Sequence, residues 1–163
     1  MPVNMKRNAV LIDPRADASF KCLNCEELKV RSVKLQDIGE CGYALLCIWV
    51  QIEAGLKLLR YYDEIAKGWP DQLNFVKRSW NRLKQIDQEN NTNYEIILST
   101  KNSLRSIRNE IAHLGVNVDK EKFFTYLMAG NFVLDRLLIQ VPARQKYVDK
   151  KKNSEAQLNR GSS

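Results

Sequence analysis

The stretch YEIILSTKNSLRSIRNEIAHLG, residues 94–115, decides the fold class. Ile97, Leu104 and Ile111 recur within it at heptad spacing, and Thr100, Ile107 and Leu114 form a second row. This is the stripe of a helix packed in a bundle, and the spacing predicts one continuous helix over residues 94–113. The opposite side carries Ser99, Asn102, Ser106, Asn109 and His113 at steps of three and four, uncharged at neutral pH and flanked by Lys101, Arg105 and Arg108. An ordinary solvated face mixes Glu with Lys, so small neutral groups edged by cations suggest an approaching anion. Lys101, Arg105 and Ser106 are its candidate contacts.

His113 is the only histidine in the chain. Histidine's unperturbed pKa lies nearest neutrality, which makes it the first candidate for acid/base work. Asn109, four residues earlier, shares its helix face, whereas Arg108 is offset by about 140°. Arg108 and His113 can converge on one phosphate if the last turn loosens at Gly115, or if two copies of the helix meet across a symmetric dimer. The competing structural reading is that His113 complements the helix dipole and Arg108 is a surface cation.

The remaining segments supply the scaffold. Residues 37–67 are predicted as a long central helix, so densely apolar between Ala44 and Leu59 that more than one face must be buried. Glu53 interrupts that pattern and needs a cation or a hydrogen-bond donor, a surface Lys or Arg at the edge of the core being one reading. A second helix is expected over residues 71–89, with Lys77, Arg78, Arg82 and Lys84 around its apolar side. A fourth begins with Asp119 as N-cap, contains Gly130 at a close helix approach, and is expected to stop at Pro142. The class is thus all-α, a four-helix up-and-down-like bundle over residues 37–141. A short extended or hairpin arm precedes it over residues 1–36, because Leu28, Val30 and Val33 suggest strand alternation. Residues 142–163 form a basic tail expected to be disordered.

Cys22 and Cys25 have the spacing of half a zinc knuckle, but Cys41 and Cys47 make a poor second half, and Cys47 falls in an apolar helix where a buried thiol is usual. No metal site is assigned. The net charge is +7, of which the tail from Arg144 contributes +4, so the body is only mildly basic. That balance favours an acidic partner, nucleic acid first. No signal peptide is visible and the longest apolar run, residues 43–50, is too short to span a bilayer, so the expected location is cytoplasmic, with reduced thiols. Neither a Gly-rich phosphate loop nor a nucleophile elbow is present.

Arg108, Asn109 and His113, an arginine and a polar residue followed by three variable positions and a histidine, resemble the signature of the HEPN superfamily, late in the third helix of a small four-helix bundle. The resemblance covers about two thirds of the chain. It implies a metal-independent endoribonuclease of toxin or antiviral-defence type without cofactor, leaving 2′,3′-cyclic phosphate and 5′-hydroxyl ends. Arg108, His113 and Asn109 would be catalytic, with Glu53 of the first helix orienting Arg108 or His113, and Lys101, Arg105 and Ser106 would touch RNA. With one histidine per chain, separate acid and base imidazoles require a homodimer. The resemblance also implies a possible cognate antitoxin of nucleotidyltransferase type. The alternative is a non-catalytic HEPN module that binds RNA, a nucleotide or a protein partner.

Overall fold

The computed structural model describes residues 26–67 and 88–162, and these are all-α: five α-helices, one 3-10 turn and no strand among the described residues. The helices are α1 (Glu26–Asp37), α2 (Cys41–Lys67), α3 (Asn91–Leu98), α4 (Leu104–Leu114) and α5 (Lys120–Gly161). Helix α2 is central. It packs lengthwise on α5 and also receives α1 and α4, while α3 lies against α5. Its stretch Cys41–Tyr62 is long and apolar enough to cross a membrane by length and composition, but most of it is buried against the other helices. Ala44, Leu45, Ile52 and Leu56 have no solvent exposure. The expected second helix, apart from the 3-10 turn Gln88–Asn90, lies outside the described residues, as do Cys22, Cys25 and residues 1–25 of the expected arm.

Three expectations are corrected. Residues 27–35 are helical rather than strand-like. The step from Leu28 to Val30 is two but from Val30 to Val33 is three, so no strand face forms, and the remaining Glu, Lys, Arg and Gln favour helix. Val30 and Val33 are exposed, and Ser32 and Leu35 make the packing contacts instead. Helix α1 then ends at Gly39, whose φ of 82° only glycine adopts without strain. The Gly39 and Glu40 amides donate to the Gln36 and Leu35 carbonyls, a Schellman closure that separates α1 from α2.

The second correction divides the 94–113 helix in two. The chain leaves α3 at Ser99, passes through Asn102 at φ 52°, and restarts at Ser103. Ser103 closes a capping box: its hydroxyl accepts from the Ser106 amide at 3.2 Å, and its own amide donates to Ser106 Oγ at 2.9 Å. Ser103 Oγ also donates to the Ser99 carbonyl at 2.7 Å. Side-chain oxygens therefore satisfy backbone groups that a continuous helix would have paired. The heptad row survives, for Ile97, Leu104 and Ile111 are all buried, but Thr100 and Leu114 of the second row are exposed.

The third correction concerns the end of the chain. Helix α5 does not stop at Pro142 but continues to Gly161. Proline removes one donor, leaving the Leu138 carbonyl without its intrahelical partner, yet Val141 and Val148 are buried on either side and hold the helix in place. Asp119 caps the start of α5 as expected, accepting from the Lys122 amide at 2.9 Å. Gly130 does mark a close approach, within the bundle: a Cβ there would lie 2.9 Å from Ile48 Cγ2.

Candidate functional site

Helix α4 crosses α2 so that Arg108 lies over Trp49 and Glu53, which are four residues apart on one face of α2. The Arg108 Cζ sits 4.6 Å from the Trp49 ring centroid. Its Nη1 is 3.5 Å from Glu53 Oε1, and the Trp49 indole N–H donates to Glu53 Oε2 at 3.2 Å. Charge and stacking hold the guanidinium, since buried Nη1 has no hydrogen-bond partner and its contact with Glu53 is an ion pair only. Arg108 and Glu53 side chains each remain 29% exposed, although Nη1 itself is buried. Glu53, expected to orient Arg108 or His113, meets Arg108. The charge that looked out of place in the apolar row of α2 has its cation on α4.

Trp49 was not singled out in the sequence, where it reads as one more apolar residue of a buried helix. Its four-residue spacing from Glu53 was the available signal. A tryptophan that both stacks on a cation and donates to the cation's carboxylate ties the two side chains into one unit.

His113 is in the opposite situation. It is exposed in the last turn of α4, as is Asn109 one turn earlier. Gly115 closes the helix in the left-handed region at φ 63°, with its amide donating to the Glu110 carbonyl. Five steps of regular helix separate Arg108 from His113, about 7.5 Å along the axis and about 140° around it. The last turn keeps its helical form, and the loosening at Gly115 that would turn His113 toward Arg108 does not occur. Near the end of α4, Leu114 is 74% exposed and Val116 and Tyr43 are exposed too, together with the polar Asn109, Glu110 and Asn117. The Tyr43 hydroxyl comes within 3.5 Å of the Cβ position of Gly115.

The three candidate anion contacts are dispersed. Ser106 is occupied by the capping box, its hydroxyl donating to the Ser103 carbonyl at 2.8 Å. Arg105 folds back with Nη1 3.5 Å from the Leu98 carbonyl at the end of α3. Lys101 is exposed in the turn between α3 and α4. The uncharged row therefore does not form one face, because Ser99 and Asn102 belong to the break.

Asn117 is a further residue missed in the sequence. Its Oδ1 accepts from the Gly42 amide at 3.0 Å and the Val118 amide at 2.9 Å, and its Nδ2 donates to the Gly39 carbonyl at 2.9 Å. The connection after α4 is thereby pinned to the start of α2, where the Gly42 N–H would otherwise lack a partner. A Cβ on Gly42 would approach the Val116 carbonyl oxygen to 2.9 Å, so this junction is tight. The end of α4 that carries His113 is thus fixed to the same helix that holds Arg108.

Among the described residues no three His, Cys, Asp or Glu side chains group to hold a metal ion. Cys41 and Cys47 are free thiols. Burial pushes the Cys47 thiol above its ordinary range, with Arg31 partly opposing the shift.

No family model, no curated protein and no solved structure matches this chain. The fold and site define an all-α helical protein with a clamped arginine and an exposed histidine on one short helix.

Proposed function

We propose that this protein is a metal-independent endoribonuclease of HEPN type that acts as a homodimer. The observation that carries this reading is the Trp49–Glu53–Arg108 unit: the arginine of the motif is fixed in direction on a side chain that is only partly buried, while His113 is exposed at the end of the same helix. A preset guanidinium stabilises charge that develops on a phosphorus centre without reorganising at the moment of reaction.

In the reaction, a neutral His113 imidazole takes the proton of a ribose 2′-hydroxyl as that oxygen bonds to phosphorus. The bond from phosphorus to the 5′-oxygen breaks, and a second, protonated imidazole gives its proton to the departing oxygen. The products are a 2′,3′-cyclic phosphate and a 5′-hydroxyl. Arg108 stabilises the non-bridging oxygens, and Asn109 positions the phosphate or the imidazole. The second imidazole belongs to the other copy, docked through the apolar surface at Tyr43, Leu114 and Val116.

The experiment is incubation of the purified chain and His113→Ala with a folded RNA in excess EDTA, followed by identification of the new ends. Cyclic phosphates from the unsubstituted protein alone are expected. Equal cleavage by both would overturn the assignment of His113.

The second reading, a non-catalytic module that binds RNA, a nucleotide or a protein partner, is favoured by one feature: Glu53 already meets the Arg108 charge. Under that reading the protein binds RNA without cutting it, and His113→Ala binds as tightly as the original.

A further inference from the structure

Helix α5 continues as a basic arm after Val148, its last buried residue, and residues 149–162 are all exposed. Helical geometry places part of its charge in one row, while Lys151 and Lys152 fall more than about 100° from the centre of that row. Lys146, Lys150, Asn153, Gln157 and Arg160 fall within about 80° of one another around the axis, at steps of three and four residues. The stripe is about 21 Å long. Glu155 points to the opposite side, and Asp149 lies at the stripe's edge. All five stripe residues are exposed, three are cations and two are neutral amides. In a disordered tail the same residues would share no face.

We infer that this stripe is a docking surface for the phosphodiester backbone of RNA, separate from the residues around Arg108. The inference rests on the ribonuclease reading for the identity of the polyanion. Charge complementarity selects the occupant: cations and amide donors in line match a row of phosphates. The stripe contains no aromatic ring on which a base could stack, so the contact reads backbone and not sequence. A membrane surface fits less well. An interfacial helix needs a continuous apolar face, whereas the large apolar side chains exposed on this arm are Tyr147 and Leu158, eleven residues apart on one side with Lys151 and Ser154 between them.

The test uses the full chain carrying His113→Ala, which blocks cleavage, and the same chain with Lys146→Gln, Lys150→Gln and Arg160→Gln added. Binding of two fluorescent single-stranded RNAs of unrelated sequence is followed by anisotropy across a salt series. The added substitutions are expected to weaken binding about tenfold at moderate salt for both RNAs, and to lower the slope of log K against log salt by about 2, as three lost phosphate contacts require. Binding within twofold and an unchanged slope overturn the inference, as does a loss confined to one RNA. Binding to vesicles containing phosphatidylserine, with no difference on RNA, assigns the arm to membranes and also overturns it. The two readings fail separately. If the unsubstituted chain never cleaves RNA but the stripe substitutions abolish binding, the arm stands and the nuclease falls. If the chain cleaves RNA and the triple substitution changes neither binding nor cleavage, the arm alone falls.

Discussion

Arg108 and His113 belong to one eleven-residue helix and live in opposite surroundings. Arg108 is stacked on Trp49 and paired with Glu53, so its position is set by α2, the central helix of the described residues. His113 is exposed, one position before Leu114 and two before the glycine that ends the helix. The difference teaches that one short helix carries a guanidinium fixed by its neighbours and an exposed imidazole offset from it by about 140°. In the proposed reading a second copy adds the other imidazole.

The comparison breaks first if the two residues respond alike. His113→Ala is expected to reduce RNA cleavage by about 10²–10⁴-fold. Its thermal midpoint should not move, since a surface change away from packing shifts stability within about 0.5 kcal/mol. Arg108→Ala is expected to lower cleavage by about 10²–10³-fold and to lower the midpoint too, because Glu53 loses its cation. Steady-state cleavage and differential scanning calorimetry on both variants check this. An unchanged midpoint for Arg108→Ala would mean that the clamp contributes nothing to the fold.

A smaller effect sharpens the role of the clamp itself. Trp49→Phe keeps a ring under the guanidinium but removes the N–H that holds Glu53, and Glu53→Gln removes the charge while keeping an oxygen. Each is expected to lower kcat by about tenfold, within the penalty of up to about 10²-fold that misplacement brings, with little change in RNA affinity. Arg108→Lys should not restore the original rate, because an ammonium offers neither the planar stack nor the fork. Separate measurement of kcat and of RNA affinity distinguishes positioning from binding.

The two ends of α4 give the next pair. Gly115→Ala places a Cβ in the left-handed region and is expected to cost about 1–2 kcal/mol. Ser103→Ala removes the N-cap and should cost about 1 kcal/mol. Chemical denaturation reads both. Hydrogen exchange at the amides of α4 should rise most near the altered end, so a uniform increase would argue against independent caps.

The smallest effect lies away from the site. The folded Cys47 thiol keeps its proton to higher pH than the unfolded chain does, because burial disfavours the thiolate. Its contribution to stability is therefore complete below the thiol's ordinary pKa and is lost as pH rises through the higher folded value. Alkylation of Cys47 by iodoacetamide at mildly alkaline pH is expected to be slower in the folded protein than in urea. Equal rates would contradict the shift.

The sequence made the all-α class legible because heptad rows such as Ile97, Leu104 and Ile111 survive as core even where the backbone between them is not helical. It also marked Glu53, since a carboxylate in a dense apolar row requires a partner. The break at Ser99–Ser103 was hidden because periodicity counts residues and not hydrogen bonds, and the polar residues there look the same on a helix face as in a cap. The continuation past Pro142 was hidden for the complementary reason. A local breaker rule weighs one missing donor, whereas the burial of Val141 and Val148 is tertiary. Trp49 and Asn117 could not be assigned from composition, because their partners lie on other elements.

The most direct measurement of the shared site is a subunit-mixing titration. Unsubstituted chains at fixed concentration are mixed with increasing amounts of differently tagged His113→Ala chains, refolded together, and assayed for RNA cleavage in EDTA, with mixed dimers verified by tandem capture. If each site needs one imidazole from each copy, activity per unsubstituted chain should fall in proportion to the fraction of unsubstituted chains, approaching zero in excess. Constant activity per unsubstituted chain, with mixed dimers present, would contradict a site that needs an imidazole from each copy.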